Sequence, residues 1–181
     1  MEQREKIEYF AQYLPSLLQL EDAATAEAVC DVWQTFLDMS PWNDISQARF
    51  KEGLDNISLI SHVNSTVECA LAVSRIIAKN HDIDFDEQLI IAFGLLHDVD
   101  KVVGYTFNEE NQLVVSEIGK KIQHGVYSAI IAHEKGFGDD MLHLLLTHTT
   151  DSKMAPQIKE GILFGYVDLC DWDLTRRYGK K

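Results

Sequence analysis

Residues 86–101 read DEQLIIAFGLLHDVDK. Asp86 and Glu87 open the stretch with negative charge, which favours a helix N-terminus. Everything from Leu89 to Leu96 is then apolar, on all sides of a helix rather than on one stripe, as a buried central helix would be. The run ends on His97, and an aspartate follows at once. A carboxylate placed directly after Leu-Leu-His is costly unless it is paired or bound to a cation. Architecture and chemistry therefore meet at His97-Asp98.

Most of the rest of the chain keeps the helical period. In TAEAVCDVWQTFLDM (25–39), Val29, Val32, Trp33, Phe36 and Leu37 mark one face, with Thr25 and Ser40-Pro41 as expected ends. Residues 58–80 predict a long helix striped by Val63, Val67, Ala70, Leu71, Ser74 and Ile77. Further helices are expected over 116–135, stopped by Gly136, and over 139–148 and 156–173. One stretch breaks the pattern. VVGYTFNEENQLVVS (102–116) alternates Tyr105 and Phe107, then Leu113 and Val115, around a polar turn at 108–111, which suggests a short β-hairpin. The fold class is all-α with that hairpin inserted. A soft division near Asn56 separates a helical N-terminal extension, 1–56, from residues 57–181, which carry the candidate chemistry.

The 181 residues are 46% apolar and 25% charged, enough to fill the core of one globular domain. Against 16 Lys+Arg stand 29 Asp+Glu, a net charge of −13, which argues against a nucleic-acid binder. A small anionic substrate is still compatible, because a metal ion reverses the local field. Cys30, Cys69 and Cys170 are far apart and odd in number, so neither a disulfide framework nor a cysteine zinc site is read, and buried free thiols are expected. No apolar run approaches the roughly 20 residues of a membrane span. The opening MEQREKIEYF lacks a secretory signal, so the expected compartment is the cytoplasm, with no membrane partner.

Asp82, Asp84 and Asp86 imitate the start of a calcium loop, but Glu87 stands where glycine is needed and Phe93 where a bidentate glutamate is needed. They fit better as the end of one helix and the start of the next. Of the seven histidines, His81 and His133 fall near helix ends and read as solvated, and His143 could be surface or core. His62, His97, His124 and His148 lie on four separate predicted helices, and His97 brings Asp98 with it. A lone histidine is more often structural than ligating; four with an adjacent buried acid are not the ordinary case.

The order His62 … His97-Asp98 … His124 … His148 … Asp168 resembles the HD superfamily of metal-dependent phosphohydrolases, in the subset that carries two metals. GLLHDVDK resembles the family's LLHDxxK, QHGVYSA its His-Gly-or-Pro element, LLLTHTT the His-Thr-Thr of bacterial HD hydrolases that split diadenosine tetraphosphate, and YVDLCD its terminal aspartate. The resemblance covers about 57–173 and implies an HD-type helical bundle. It also implies metal ligation by His62, His97, Asp98, His124, His148 and Asp168.

Imidazole and carboxylate together suit two divalent or mixed-valence transition-metal ions, iron or manganese first, with zinc, cobalt or nickel as alternatives. A carboxylate can bridge two cations and imidazole cannot, so Asp98 is the natural bridge; His62, His97 and Asp168 complete one set, and His124 and His148 the other. Two ions about 3.5–4 Å apart can hold a hydroxide nucleophile and clamp a phosphoryl oxygen. No Walker loop or G-x-S-x-G elbow offers another mechanism. Lys101, at i+4 from His97, is expected to act on substrate phosphate with Asp98 as its catalytic partner, or else to be a solvated lysine paired with Asp98 or Asp100. Thr149 and Thr150 could bind phosphate or cap the next segment. Lys120, Lys121, Lys153, Arg176 and Arg177 are weaker phosphate candidates, more ordinary as solvated charges.

The expected activity is hydrolysis of a phosphate ester or anhydride of a nucleotide or other small molecule, with a homodimer as the candidate assembly. Two rivals stay open: an HD-type diiron oxygenase cleaving a C–C or C–P bond with the same six ligands, and a non-catalytic nucleotide-sensing HD domain.

Overall fold

The computed structural model describes residues 3–54 and 57–179. Among the described residues, nine α-helices and one hairpin follow in order: α1 (Gln3–Ala11), α2 (Ala23–Asp38), α3 (Leu59–His81), α4 (Glu87–Leu96), α5 (Lys101–Gly104), β1 (Tyr105–Phe107), β2 (Leu113–Val115), α6 (Glu117–Lys121), α7 (Val126–Glu134), α8 (Asp139–Thr147) and α9 (Lys159–Tyr178). The all-α expectation holds.

Helix α4 is the axis of the bundle, packed against α2, α3, α8 and α9. Every residue from Ile90 to Leu96 is buried, as its uniform apolarity requires. The approach of α3 and α9 depends on Gly94, where a Cβ would lie 2.6 Å from Val67 and 2.8 Å from the ring of Phe164. The acidic punctuation before α4 serves as expected. Asp82 ends α3 in a left-handed conformation, and the Asp86 side chain caps α4 by accepting from Leu89 N at 3.0 Å.

Helices α1 and α2 share one continuous core with the rest of the chain. Two of its buried tryptophans satisfy carbonyls around the end of α4: Trp33 Nε1 donates to Leu95 O and Trp42 Nε1 to Val102 O, both at 2.8 Å. Carbonyls at a helix C-terminus lack intrahelical partners, so these bonds fasten the turn that carries His97 and Asp98. The division expected near Asn56 falls on residues outside those described.

The expected hairpin forms, with Tyr105 opposite Val115 and Phe107 opposite Leu113. Three expectations need correction. The helix read over 116–135 is two, α6 and α7, broken because Ile122 is extended and Gly125 adopts φ +85°. A Cβ at Gly125 would also meet Leu145 O at 2.3 Å, so only glycine fits there. Helix α2 starts at Ala23 rather than Thr25, capped by the Asp22 carboxylate, which accepts from Ala24 N and Thr25 N. Cys30 is buried, but Cys69 and Cys170 are exposed. Among the described residues no helix is long and apolar enough to cross a membrane.

Candidate metal centre

Helix periodicity delivers the first group of candidate ligands. His62 sits on the inward stripe of α3, beside buried Val63 and Thr66. On α9, Phe164 packs on Phe93 and His97, and Asp168 follows one turn later on the same face. His62 Nε2 thus comes within 3.1 Å of Asp168 Oδ1, 3.3 Å of Asp98 Oδ2 and 3.3 Å of His97 Nε2. The exposures of His62, His97 and Asp98 are 3%, 0% and 2%, so these polar groups are sealed from bulk water.

The second group meets the other oxygen of the same aspartate. His124, held in the break between α6 and α7, places Nε2 2.8 Å from Asp98 Oδ1. His148, at the end of α8, places its Nε2 3.2 Å from that of His124. Three-residue clusters able to hold an ion therefore form on both sides of Asp98: His62, His97 and Asp98, and Asp98, His124 and His148.

Each of the four imidazoles has its Nδ1 engaged elsewhere. His62 Nδ1 bonds Asp171 at 2.7 Å, His97 Nδ1 Gly94 O at 2.8 Å, His124 Nδ1 Asp100 at 2.7 Å and His148 Nδ1 Leu145 O at 2.9 Å. With Nδ1–H donating, Nε2 is the free ligand atom, and all four converge. Two imidazole nitrogens facing one another at 3.2–3.3 Å need a proton or a cation between them. The donor set fits a pair of transition-metal ions.

Asp100 and Asp171 were not foreseen as site residues. Asp171 lies at i+3 from Asp168, bonds His62 and accepts from Ser65 Oγ. Asp100, two residues after Asp98, accepts from His124 and from Gly125 N at 2.8 Å, so one carboxylate fixes both the ring and the glycine turn. Helical and turn spacing from a ligand was the available signal; nothing in composition marks these acids out from solvated ones.

Protons occupy the centre when no cation does. Burial works to lower the His62 pKa, but hydrogen bonds to Asp168, Asp171 and Asp98 outweigh it and hold the ring at about 10. His124, opposed by burial but paired with Asp100 and Asp98, is held at about 9. Burial, with the charges of His124 and His97, presses His148 down to about 3. His97 is lowered by burial as well, and Asp98 is held well below the ordinary carboxylate range because Lys101 and the histidines outweigh its burial. A cation must therefore displace protons from His62 and His124. Metal affinity should rise with pH from neutrality until those rings deprotonate near pH 9–10. Titration calorimetry at pH 7 in buffers of differing ionisation enthalpy should register about two protons released on filling the centre; proton-neutral uptake would refute the assignment.

The cluster opens into a cavity of about 370 Å³. Lys101, Thr149 and Thr150 line it, together with Asp98, Asp168, His124 and His148. Lys101 Nζ lies 2.6 Å from Asp98 Oδ2 and 3.8 Å from the centroid of the Phe50 ring. The buried Thr149 Oγ1 has no hydrogen-bond partner. Lys120, Lys121, Lys153, Arg176 and Arg177 are not part of the lining. Lys120 and Lys121 pair with Glu117, and Arg176 and Arg177 with Asp173. His81 and His133 are exposed as expected, and His143 stands apart from the cluster, accepting from Gln157 N at 2.9 Å.

Compared with known proteins, residues 60–173 match the family model for the HD domain. No curated protein and no solved structure matches the chain.

Proposed function

The chain belongs to the HD domain family, and from that premise we propose that it is a metal-dependent phosphohydrolase acting on a small phosphate ester or anhydride. The observation that carries this reading is Asp98, whose Oδ2 faces His62 and His97 while its Oδ1 faces His124. A buried carboxylate shared in this way is suited to bridging two ions, iron or manganese by its imidazole-rich company. Ions at this centre supply Lewis acidity toward a phosphoryl oxygen and toward water.

The chain's own residues do the rest. Asp171, Asp100 and the carbonyls of Gly94 and Leu145 hold the four imidazoles in the ligating tautomer. Lys101 supplies a fixed positive charge on the cavity wall for a non-bridging phosphate oxygen. Thr149 offers a buried hydroxyl still lacking a partner, and Thr150 a second donor beside it. Phe50, tilted against His62 with 4.3 Å between ring centroids, covers that imidazole with an apolar face.

Metal removal tests the reading. Phosphate release from a panel of esters and nucleotides should require manganese or iron, vanish on chelation and return on reloading. Chelation should also lower Tm: ligand present at a hundredfold excess over Kd stabilises by about 2.7 kcal/mol, or about 5–10 °C for a chain of this size. An unchanged Tm would count against a buried centre. Oxygen uptake with an organic co-substrate, and no phosphate release, would move the protein to the oxygenase reading.

A further inference from the structure

We propose that the cavity selects phosphate monoesters of an apolar, ring-sized alcohol and discriminates against polyphosphates; this deepens, and rests on, the phosphohydrolase reading. A volume of about 370 Å³ accommodates an organic group as well as a phosphoryl group. Outside the histidine–aspartate cluster, apolar side chains line the cavity beside the hydroxyls of Tyr105, Tyr127, Thr149 and Thr150. Val115 of β2, Ile118 of α6 and Ile122 supply an aliphatic wall, and Phe50 and Trp172, with ring centroids 5.2 Å apart, supply an aromatic one. The aliphatic wall is firmly placed. Ser116 ties α6 to α5 through Val103 O and Gly104 O, and Gly119 packs where a Cβ would lie 2.5 Å from Gly104 O.

Positive charge is scarce by comparison. Among the described residues the lining holds two lysines, Lys51 and Lys101, and Lys101 already faces Asp98 at 2.6 Å. Asp151 adds a further carboxylate beyond the cluster. A single phosphoryl dianion can be met by Lys101 and the metal centre. The additional phosphates of a di- or triphosphate would run past apolar side chains and Asp151, with one lysine to answer them. In the reaction, water oxygen forms a bond to phosphorus as the ester P–O bond breaks. The bonding pair leaves on the alcohol oxygen, which takes up a proton from that water. The products are the alcohol and inorganic phosphate, with no change of oxidation state.

Two arms separate the pocket from the chemistry. In the first, metal-loaded protein is titrated with 1-naphthylmethylphosphonate and methylphosphonate by calorimetry; burying the ring should tighten binding about tenfold or more. Gly104 lines the cavity and a Cβ there meets no atom within 4 Å, so Gly104→Leu fills free space. That variant should keep its metal content and lose the preference for the naphthyl compound. In the second arm, kcat/KM for 1-naphthyl phosphate should exceed that for glycerol phosphate, ATP and pyrophosphate by about tenfold or more. Equal binding of the two phosphonates, or ATP or pyrophosphate turned over at least as well, overturns the proposal while leaving phosphohydrolysis intact. Preferential binding of the naphthyl phosphonate with no ester hydrolysed upholds the pocket assignment and overturns the hydrolase reading.

Discussion

Asp98→Asn should empty both halves of the metal centre and cut phosphate-ester turnover about 10³-fold or more, each tenfold corresponding to about 1.4 kcal/mol of lost transition-state stabilisation. Asparagine keeps the volume of aspartate but puts an amide nitrogen, which cannot ligate, in place of one carboxylate oxygen. Both oxygens are in use: Oδ2 toward His62 at 3.3 Å and His97 at 3.5 Å, Oδ1 toward His124 at 2.8 Å. Whichever way the amide turns, one group loses a ligand and both lose the negative charge. His148→Ala is the informative contrast. His148 Nε2 faces His124 Nε2 at 3.2 Å and groups with His124 and Asp98, not with His62, so its loss should release one ion and leave the His62–His97–Asp168 side occupied. Metal analysis by mass spectrometry on repurified variants, beside phosphate release, reads both effects. An Asp98→Asn protein still holding two ions would remove the bridge from the mechanism.

Much of this was readable in the chain because the residue types are costly where they stand. A carboxylate at the end of LIIAFGLL has to be compensated, and α4 is as buried as its composition requires. The long α3 and the hairpin followed from periodicity and from the polar turn between alternating apolar residues. What stayed hidden was mostly long-range. Phe50 and Lys51 precede residue 57, in a part of the sequence with no obvious chemistry, yet both line the cavity and Phe50 covers His62. No local pattern states where a loop residue lands across a bundle. The same holds for Trp33, whose helical spacing reported burial, and for Trp42: no local pattern showed that their indole N–H groups fasten the turn around His97 and Asp98.

The break at Ile122–Gly125 is the more instructive miss. Apolar spacing runs on through Ile118 and Ile122, so the pattern favoured one helix. Gly125 was the sole local sign of a stop, and its left-handed backbone is secured by a non-local acceptor, Asp100. The break also presents His124 to Asp98. In an unbroken helix, His124 would have followed the helix axis and could not have shared a turn with a backbone N–H pinned by the same carboxylate.

Lys101 poses the sharpest question of charge. In the structure its ammonium lies 2.6 Å from Asp98 Oδ2, the oxygen that also faces His62 and His97. When a cation claims that oxygen the ammonium has to release it, and Lys101 has the freedom to move: its side chain is 16% exposed and its Nζ lies over the face of Phe50. Metal loading should therefore leave Lys101 resting on the aromatic ring with its charge directed at the cavity, available to a phosphate oxygen. On that basis Lys101→Met, which preserves the stem against Phe50, should retain the full metal content. Turnover should fall by about 10²–10³, the usual loss for one preorganised charge. Lys101→Arg should recover little, because a planar guanidinium cannot sit as a compact point charge on the ring. The split is read by metal analysis alongside kcat and KM for the best phosphate ester. Loss of metal in Lys101→Met would make the lysine a structural counter-ion of Asp98, and unchanged hydrolysis would make it a bystander.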